Sequence, residues 1–279
     1  LLFSVPLPLT SGSSGSIMTN AGDVENEGFE FTIGYTNNDH AFKYNISANG
    51  GTLKNKVTKI GNDNAPITLG PSRTEVGRSI GELYAWETQG IFQTQAEINA
   101  APTQSVSTRP GDIRFKDVNG DNVIDDKDRT FQGTSIPKYS FGINLNFEYK
   151  NWELSMLWQG AGGNKVFNAV YRDLMAGQYG NSSTDILNYW TPTNTDTNVP
   201  RPVINDPNAN TRDSNRFIED GDYIKLQNFQ IGYNIPLGNK KFIQKAKIFA
   251  NGQNLWTITN YKGYDPDFIN DGLLTRGYD

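Results

Sequence analysis

The sequence contains no cysteine and a single histidine, His40. Without thiol groups the chain has no disulfide bond, no thiolate ligand for zinc and no cysteine nucleophile. A catalytic triad would have to use His40, which falls in a predicted turn and which we interpret as a surface residue. The 30 acidic residues show no pairing pattern that predicts carboxylate catalysis. We therefore expect that the chain is not an enzyme.

The sequence also lacks an excess of positive charge and any long apolar run. It has 25 Lys and Arg against 30 Asp and Glu, a net charge of −5, whereas nucleic-acid binding requires a basic surface. It has no stretch of about 18 apolar residues that would predict a transmembrane helix. A transmembrane strand requires only ~9–11 residues with apolar side chains on one face. Insertion through strands is therefore compatible with a hydrophobic content of 36%.

Alternation of apolar and polar residues, the pattern typical of β-strands, recurs along the chain. It is clearest in residues 139–160, where only Lys150 and Asn151 interrupt it and predict a tight hairpin turn. Similar pairs of alternating segments flank residues 37–40 and residues 236–239. The sequence therefore predicts three antiparallel hairpins.

Long polar stretches separate the alternating segments. Residues 11–23, 59–77, 101–135 and 181–215 are rich in Gly, Asn, Asp, Pro, Ser and Thr. Outer-membrane barrels have short periplasmic turns and long external loops, whereas a compact soluble domain rarely has several long loops. If the three tight turns are periplasmic, every long stretch falls outside. This requires residues 77–94 to form an external excursion, although residues 83–86 resemble a strand.

We therefore predict an all-β fold, an antiparallel transmembrane barrel segment with long external loops. The predicted strands are residues 1–7, 24–36, 41–57, 136–149, 152–162, 217–235 and 246–259. A change of phase at residues 227–228 predicts a β-bulge. In the central hairpin we expect Phe141, Ile143, Leu145, Trp152, Leu154 and Met156 to face lipid. We expect Asn144, Asn146, Glu148, Glu153, Ser155 and Gln159 to face the lumen.

Three motifs carry a family resemblance. They are VENEGFEF at residues 24–31, GDIRFKDVNGD at residues 111–121 and NLWTITNYKGYDP at residues 254–266. In this order they resemble the motifs of SusC/RagA TonB-linked outer-membrane transporters of Bacteroidetes, and the resemblance extends over essentially the whole chain.

The resemblance implies that residues 1–279 are the C-terminal part of a barrel of about 22 strands. It implies an energy link to TonB and a surface lipoprotein partner of the SusD type. The implied cargo is an oligosaccharide or a peptide, and the implied function is nutrient import across the outer membrane. We expect the plug domain and the last strand to lie outside this chain.

Residues 111–130 contain a segment with the ligand spacing of a calcium loop. Counted from Asp117 as position 1, the predicted oxygen ligands are Asp117, Asn119, Asp121, the carbonyl of Val123, Asp125 and Asp128. Asn122 replaces the usual glycine at position 6, although asparagine tolerates left-handed backbone geometry. We predict an external calcium-binding loop, and the alternative is a solvated turn without an ion.

The aromatic residues have two expected roles. Near predicted strand ends we expect an interfacial girdle formed by Tyr149, Trp152, Trp158, Tyr233 and Trp256. Trp86, Tyr189 and Trp190 fall in external segments. There they could stack on sugar rings of the cargo or pack the loops and the interface with a lid.

Two other classes of function use the same features. A soluble, calcium-stabilised β-sandwich that binds surface glycans would bury the alternating apolar faces in a dry core and would need no detergent. A glycoside hydrolase module would need two carboxylates held at a defined separation. The importer hypothesis instead requires the apolar faces to contact a bilayer.

Overall fold

The computed structural model describes residues 2–6, 12, 16–20, 22–61, 63–177, 180–237, 243–268, 272 and 274–279. The strands are β1 (Leu2–Pro6), β2 (Ser16–Asn20), β3 (Gly22–Glu27), β4 (Glu30–Asn37), β5 (Phe42–Thr52), β6 (Lys54–Ile60), β7 (Ile67–Leu69), β8 (Ser72–Thr74), β9 (Glu82–Trp86), β10 (Thr88–Ile91), β11 (Ile113–Phe115), β12 (Arg129–Gly133), β13 (Tyr139–Tyr149), β14 (Trp152–Gly162), β15 (Lys165–Phe167), β16 (Ile218–Asp220), β17 (Tyr223–Asn234) and β18 (Lys247–Thr259). The helices are α1 (Gln95–Ala100), α2 (Ala169–Ala176) and three 3-10 turns, Asp126–Asp128, Thr184–Asn188 and Asn215–Phe217. Within these described ranges, no helix is long and apolar enough to cross a membrane.

The largest sheet, called the wall below, contains six antiparallel strands in the order β18-β17-β14-β13-β5-β4. Five of them have 11 to 13 residues, which is sufficient for a tilted strand to cross a bilayer. The hairpins β4–β5, β13–β14 and β17–β18 all turn at the same end of the wall, as predicted. Gly238 and Asn239 of the third predicted turn, and Leu1 and Leu7 of the first predicted strand, lie outside the described residues.

Two local irregularities follow from the sequence. Lys150 has a φ of 55°, the left-handed conformation that a two-residue hairpin turn requires. In β17 the pairing with β14 passes from Leu226 to Asn228 and leaves Gln227 without a cross-strand partner, and the pairing with β18 shifts at the same place. The bulge predicted at residues 227–228 is therefore confirmed.

The cross-strand register places the apolar side chains of the wall on one face. Leu145 lies between Ile46 and Met156, and Met156 in turn lies opposite Phe229. Most of this face is exposed or half-buried, and Ile33 reaches 68% exposure. A soluble sandwich would cover such a face with a second sheet, since burial of apolar area drives folding in water. The wall instead has the face that a bilayer would cover.

Aromatic side chains form two rows across the apolar face. At the turn end, Trp152 lies opposite Tyr149 and Tyr233, with 4.8 Å between the ring centroids of Trp152 and Tyr233. Further along, the ring centroids of Trp158 and Trp256 are 6.2 Å apart. Six residues separate the rows on β14, or ~20 Å at ~3.4 Å per residue. The rows contain the residues predicted to form interfacial girdles, and that role stays a prediction.

Beyond the end of the wall opposite the tight turns, the chain forms smaller sheets, called the loop layer below. It contains the four-stranded sheet β12-β9-β8-β7 and the pairs β3–β6, β10–β11 and β15–β16. Residues 77–94 lie outside the wall, as predicted, because β9 belongs to the loop layer; their external position stays a prediction. Buried apolar clusters lie in the loop layer; they are centred on Phe167 and Phe217, on Val57 and Ile60, and on Trp86 and Phe115.

Three predicted strands are each split between the two layers, which corrects the prediction. Residues 24–36 form β3 in the loop layer and β4 in the wall, residues 41–57 form β5 and β6, and residues 217–235 form β16 and β17. The first break is at Gly28, where a Cβ atom would lie 1.9 Å from the carbonyl oxygen of Thr52. A period of two continues across such a break, so the alternation alone does not reveal it.

A buried carboxylate holds the loop layer together. Arg201 donates from Nε to Asp112 Oδ1 at 2.9 Å and from a terminal nitrogen to Oδ2 at 3.0 Å. Asp112 also accepts hydrogen bonds from the backbone N–H of Arg109 and from the side chain of Asn210. A buried carboxylate requires this number of donors to balance the loss of hydration. The aspartate of the GDIRFKD motif is therefore a structural anchor.

Arg201→Ala should destabilise the loop layer by about 3–5 kcal/mol, because it leaves the Asp112 carboxylate buried without its cation. The measurement is the urea dependence of proteolytic cleavage in the loop layer of the folded protein. Arg109→Ala is the matched control, since the Arg109 side chain bonds only to backbone carbonyls. Equal protection in both variants would contradict the anchor role.

Leu145→Arg should impair assembly of the wall, because it places a charge in hydrocarbon at a cost of ~2–4 kcal/mol near the midplane. Asn144→Arg is the neighbouring control and should assemble, since its side chain lies on the polar face. Heat-modifiable mobility of the outer-membrane fraction in gels reports assembly. If Leu145→Arg assembled normally and Asn144→Arg did not, the facing assignment would be reversed.

Candidate functional site

The polar face of the wall brings the predicted lumenal residues together. Asn146 and Glu148 of β13 lie opposite Ser155 and Glu153 of β14. Asn144 and Gln159 lie on the same face, opposite Leu157 and Gly142. Ser155 Oγ donates to Asn146 Oδ1 at 2.8 Å. Glu153 accepts from the side chains of Asn234 and Lys247 on the next two strands. The prediction that these six residues share a face is confirmed.

A lysine on this polar face fixes a segment of chain across it. Lys225 lies opposite Gln159 in the register and is buried. Its Nζ is 3.0 Å and 3.1 Å from the two carboxylate oxygens of Asp265 and 3.1 Å from Asp267 Oδ2. Gln159 Nε2 also donates to Asp267 at 3.3 Å. Residues 261–268, the fold-back segment, therefore turn from the end of β18 across the polar face.

The other end of the fold-back segment is fixed in the loop layer. The backbone N–H of Lys262 donates to Glu219 Oε2 at 2.8 Å, and the buried Tyr261 hydroxyl bonds to Asp279. Burial, together with Asp279, raises the pKa of Tyr261, so the phenol stays protonated and donates. The sequence identified the motif at residues 254–266 but did not predict its contact with Lys225. This lysine occupies a polar position in the alternating pattern of a predicted strand.

The acidic loop gathers its carboxylates around backbone amides. Asp117 accepts from the N–H groups of Gly120 at 2.7 Å and Asn122 at 2.9 Å. The buried Asp128 accepts from the N–H of Asp125 at 2.8 Å. Asn122 has a φ of 63°, the left-handed geometry expected at position 6. Among the described residues, no group of three acidic or histidine side chains is placed to hold one metal ion, and calcium binding stays a prediction.

The remaining predicted ligands lie on the exposed side of the same loop. Asp121 accepts from the Asn119 side chain at 2.9 Å and from the Val123 N–H at 3.0 Å. These hydrogen bonds lower the pKa of the Asp121 carboxyl. Lys127 Nζ is 3.9 Å from Asp121 and 3.6 Å from Asp125, so the loop carries a partial counter-charge.

The three external aromatic residues differ in accessibility. Trp86 is 8% exposed and Trp190 is 9% exposed, whereas Tyr189 is 40% exposed. Trp86 donates through Nε1 to the carbonyl of Asp125, and Trp190 donates to Gln93 Oε1. Burial favours the packing role over sugar stacking for both tryptophans. Tyr189 alone among the three presents a substantial surface to a ligand or partner.

A carboxylate bridge joins the acidic loop region to the rest of the loop layer. Glu87 accepts from Lys116 Nζ at 2.6 Å and from the Thr130 hydroxyl at 2.9 Å. These two hydrogen bonds hold the pKa of Glu87 below its usual range. The desolvated Arg212 lies 4.2 Å over the Phe115 ring, and burial lowers its pKa. Glu87 and Lys116 are therefore paired with each other, and Arg212 packs against an aromatic ring.

Comparison with known sequences gives a consistent result. No family model matches the chain. TonB-dependent receptor P3 of Formosa agariphila is 35% identical over 280 residues, covering 96% of this chain and 27% of the relative. TonB-dependent receptor SusC of Bacteroides thetaiotaomicron is 23% identical over 295 residues, covering 100% of this chain and 27% of the relative. The chain thus spans little more than a quarter of the length of these relatives.

Solved structures show the same fold. The structure of the RagAB peptide transporter superposes with a TM-score of 0.78 at 20% identity, covering 100% of this chain and 30% of the matched chain. The structure of the RagAB peptide importer in its closed-closed state superposes with a TM-score of 0.77 at 21% identity. These likenesses confirm the predicted all-β, antiparallel fold class.

The sequence matches and the fold agree with the three motifs at residues 24–31, 111–121 and 254–266. The relatives named above are receptors and transporters, which confirms the expectations of an outer-membrane location and of a protein that is not an enzyme. The chain belongs to the SusC/RagA type of TonB-dependent outer-membrane receptors.

Proposed function

We propose that this chain forms part of the wall and of the external loops of a receptor that imports nutrients across the outer membrane. The observation that carries the proposal is the two-faced wall. Its apolar face is exposed or half-buried over strands long enough to cross a bilayer, and its opposite face carries amide, hydroxyl and paired charged groups. Such a sheet is stable when lipid covers one face and water fills the other side.

Oligosaccharides are the cargo that we propose. The polar face around the central hairpin presents Asn144, Asn146, Ser155 and Gln159, which are neutral hydrogen-bonding groups. Glu148 lies on the same face, as does Glu153, which is paired with Lys247. Hydroxyl groups of a sugar both donate and accept, and amide side chains complement them in both directions. A charged lining would instead favour cargo of the opposite charge.

A surface lipoprotein of the SusD type is the proposed partner, and TonB is the proposed source of energy. The loop layer carries exposed apolar side chains, namely Val106, Leu187 and Ile204, that a lid could cover. Tyr189, also exposed, fits the amphipathic character of aromatic residues at interfaces.

Deletion of the receptor gene from its bacterium, followed by growth on single nutrients, tests the import proposal. Growth on one or more oligosaccharides should be lost and should return when the gene is restored. Growth on free monosaccharides is the control and should be unaffected. A growth defect confined to oligopeptides would contradict the sugar cargo and indicate a peptide cargo. Normal growth of the deletion strain on every oligosaccharide and oligopeptide tested would overturn the proposal of nutrient import.

We also propose that the acidic loop of residues 111–130 binds calcium and stiffens the loop layer. The spacing of Asp117, Asn119, Asp121, Val123, Asp125 and Asp128 supports this proposal, as does the left-handed Asn122. Ile124 is buried against Trp86, so an ion bound in the loop would act on a packed cluster.

Calcium should raise the melting temperature of the detergent-solubilised receptor relative to the same sample in chelator, because an ion that binds only the folded state stabilises it. Asp121→Asn should reduce this shift, since it removes a ligand charge. Asp126→Asn is the matched control in the same loop, because Asp126 is exposed and lies outside the ligand positions. Identical melting with calcium and with chelator would rule out the ion.

A further inference from the structure

The two ends of the fold-back segment are held in different ways. At its start, Tyr261 is buried, its hydroxyl bonds to Asp279, and the backbone N–H of Lys262 donates to Glu219 at 2.8 Å. Withdrawal of Tyr261 from this site would expose a buried aromatic ring, which is unfavourable in water. Residues 261 and 262 are therefore a firm anchor in the loop layer.

Residues 264–268, at the other end, are held against the wall by charge. Lys225 Nζ lies 3.0 Å from Asp265 and 3.1 Å from Asp267. The lysine side chain is 3% exposed, whereas those of the two aspartates are 49% and 40% exposed. Water reaches both carboxylates in the closed position, and ion pairs that water reaches contribute little to stability. Movement of this end away from the wall therefore has a small electrostatic cost.

The other polar contacts between this end and the wall are also exchangeable with water. Asp267 accepts hydrogen bonds from Gln159 Nε2 at 3.3 Å and from the Tyr223 hydroxyl. When such a bond is broken at a surface that water reaches, both partners bond to water instead, and the net loss is small. The hydrogen bonds thus add direction to the contact more than strength.

A cavity of about 230 Å³ lies under the same end of the segment. Pro266, Asp267 and Phe268 line it on one side, and Ala161 and Tyr223 line it on the wall. A water molecule requires ~10–15 Å³ of free volume, so the cavity has room for several. The segment therefore bridges a gap here and does not pack continuously against the wall.

Gly263 joins the anchored end to the end held by charge. A Cβ atom at this position would lie 2.3 Å from the ring of Tyr261, so any side chain would displace that buried ring. Glycine also has the widest choice of backbone conformations, and hinges are a few residues that absorb changes in φ and ψ. The segment thus combines a fixed anchor, a hinge and an end with exchangeable contacts.

We propose that residues 264–268 are a strap, hinged at Gly263 and latched by Lys225, that swings off the polar face and widens the passage beside the wall. The inference rests on the import function proposed above. The closed strap crosses the polar face and covers Lys225. Opening transfers Asp265 and Asp267 into water and leaves the anchor at Tyr261 in place.

Distances between two spin labels in the full-length, detergent-solubilised receptor test the movement of the strap. One label is attached at Tyr264→Cys, an exposed position on the strap, and the other at Asn45→Cys, an exposed position on the polar face of β5. The chain has no cysteine of its own, and any cysteine elsewhere in the receptor is replaced by serine. At low ionic strength one distance should dominate. In ~1 M salt, where the screening length falls to ~3 Å, a second distance should appear.

Removal of either side of the latch should open the strap without added salt. Lys225→Met removes the cation and keeps an unbranched side chain, so the second distance should appear at low ionic strength. The double variant Asp265→Asn/Asp267→Asn should give the same result while the lysine stays in place. Melting of each variant verifies folding, and the two variants remove opposite charges, so one tests the latch if the other folds poorly.

Lys247→Met is the matched control. Lys247 is also a lysine on the polar face that is paired with a carboxylate, that of Glu153, but it lies at the turn end of the wall. This variant should keep the wild-type distance. One distance, independent of salt and the same in the wild type and in all latch variants, would overturn the strap.

A cross-link tests whether opening of the strap is needed for import. The pair Ala161→Cys/Phe268→Cys places one thiol on the wall and one on the strap at the same cavity, and it leaves the latch intact. A cleavable bismaleimide that joins the two thiols should stop growth of the cells on the imported nutrient. Cleavage of the linker by a reductant should restore growth. Unchanged growth of fully cross-linked cells would overturn the role of the strap in import.

The two measurements separate this inference from the import proposal. Spin-label distances report on the strap whether or not the receptor imports a nutrient. If deletion of the gene abolished growth on a nutrient but the distances never changed, the strap alone would be overturned. If deletion had no effect on growth, nutrient import and the role of the strap in it would both be overturned.

Discussion

Every N–H and C=O group of a strand in hydrocarbon must bond to a neighbouring strand, because lipid offers no partner for it. The wall follows this constraint. β13 pairs along its whole length from Tyr139 to Tyr149 with β5 on one side and β14 on the other. The constraint accounts for the antiparallel order and the short connections at one end. In the part of the chain that the structure describes, β4 and β18 are the edges of the wall, and in a bilayer both need a neighbour.

A sheet with lipid on one face and water on the other has no hydrophobic core of its own. Apolar packing in this chain is therefore concentrated in the loop layer, around residues such as Phe167, Val57 and Phe115. On the polar face of the wall, ion pairs and hydrogen bonds hold the segments together in place of apolar packing. Lys225 holds the fold-back segment there, and Asp112 with Arg201 holds the loops above it.

The wall could be predicted from the sequence because its pattern is local. Alternation with a period of two gave β14 its observed limits, Trp152–Gly162, and a change of phase gave the bulge at Gln227. The loop layer could not be predicted in the same way. Asp112 and Arg201 are 89 positions apart, and no periodic pattern in the sequence predicts an ion pair between such distant residues. Burial of Trp86 and Trp190 likewise depends on contacts between distant loops.

The cluster around Phe167 joins side chains from several excursions of the chain, including Leu83, Phe217 and Tyr278. Segments that share one core cannot move independently, since displacing one exposes the apolar surface of the others. The excursions therefore form one connected layer at the end of the wall, and they do not move as independent loops. Sequence variation can accumulate at the tips of these excursions, where side chains face water, while the shared core keeps its shape.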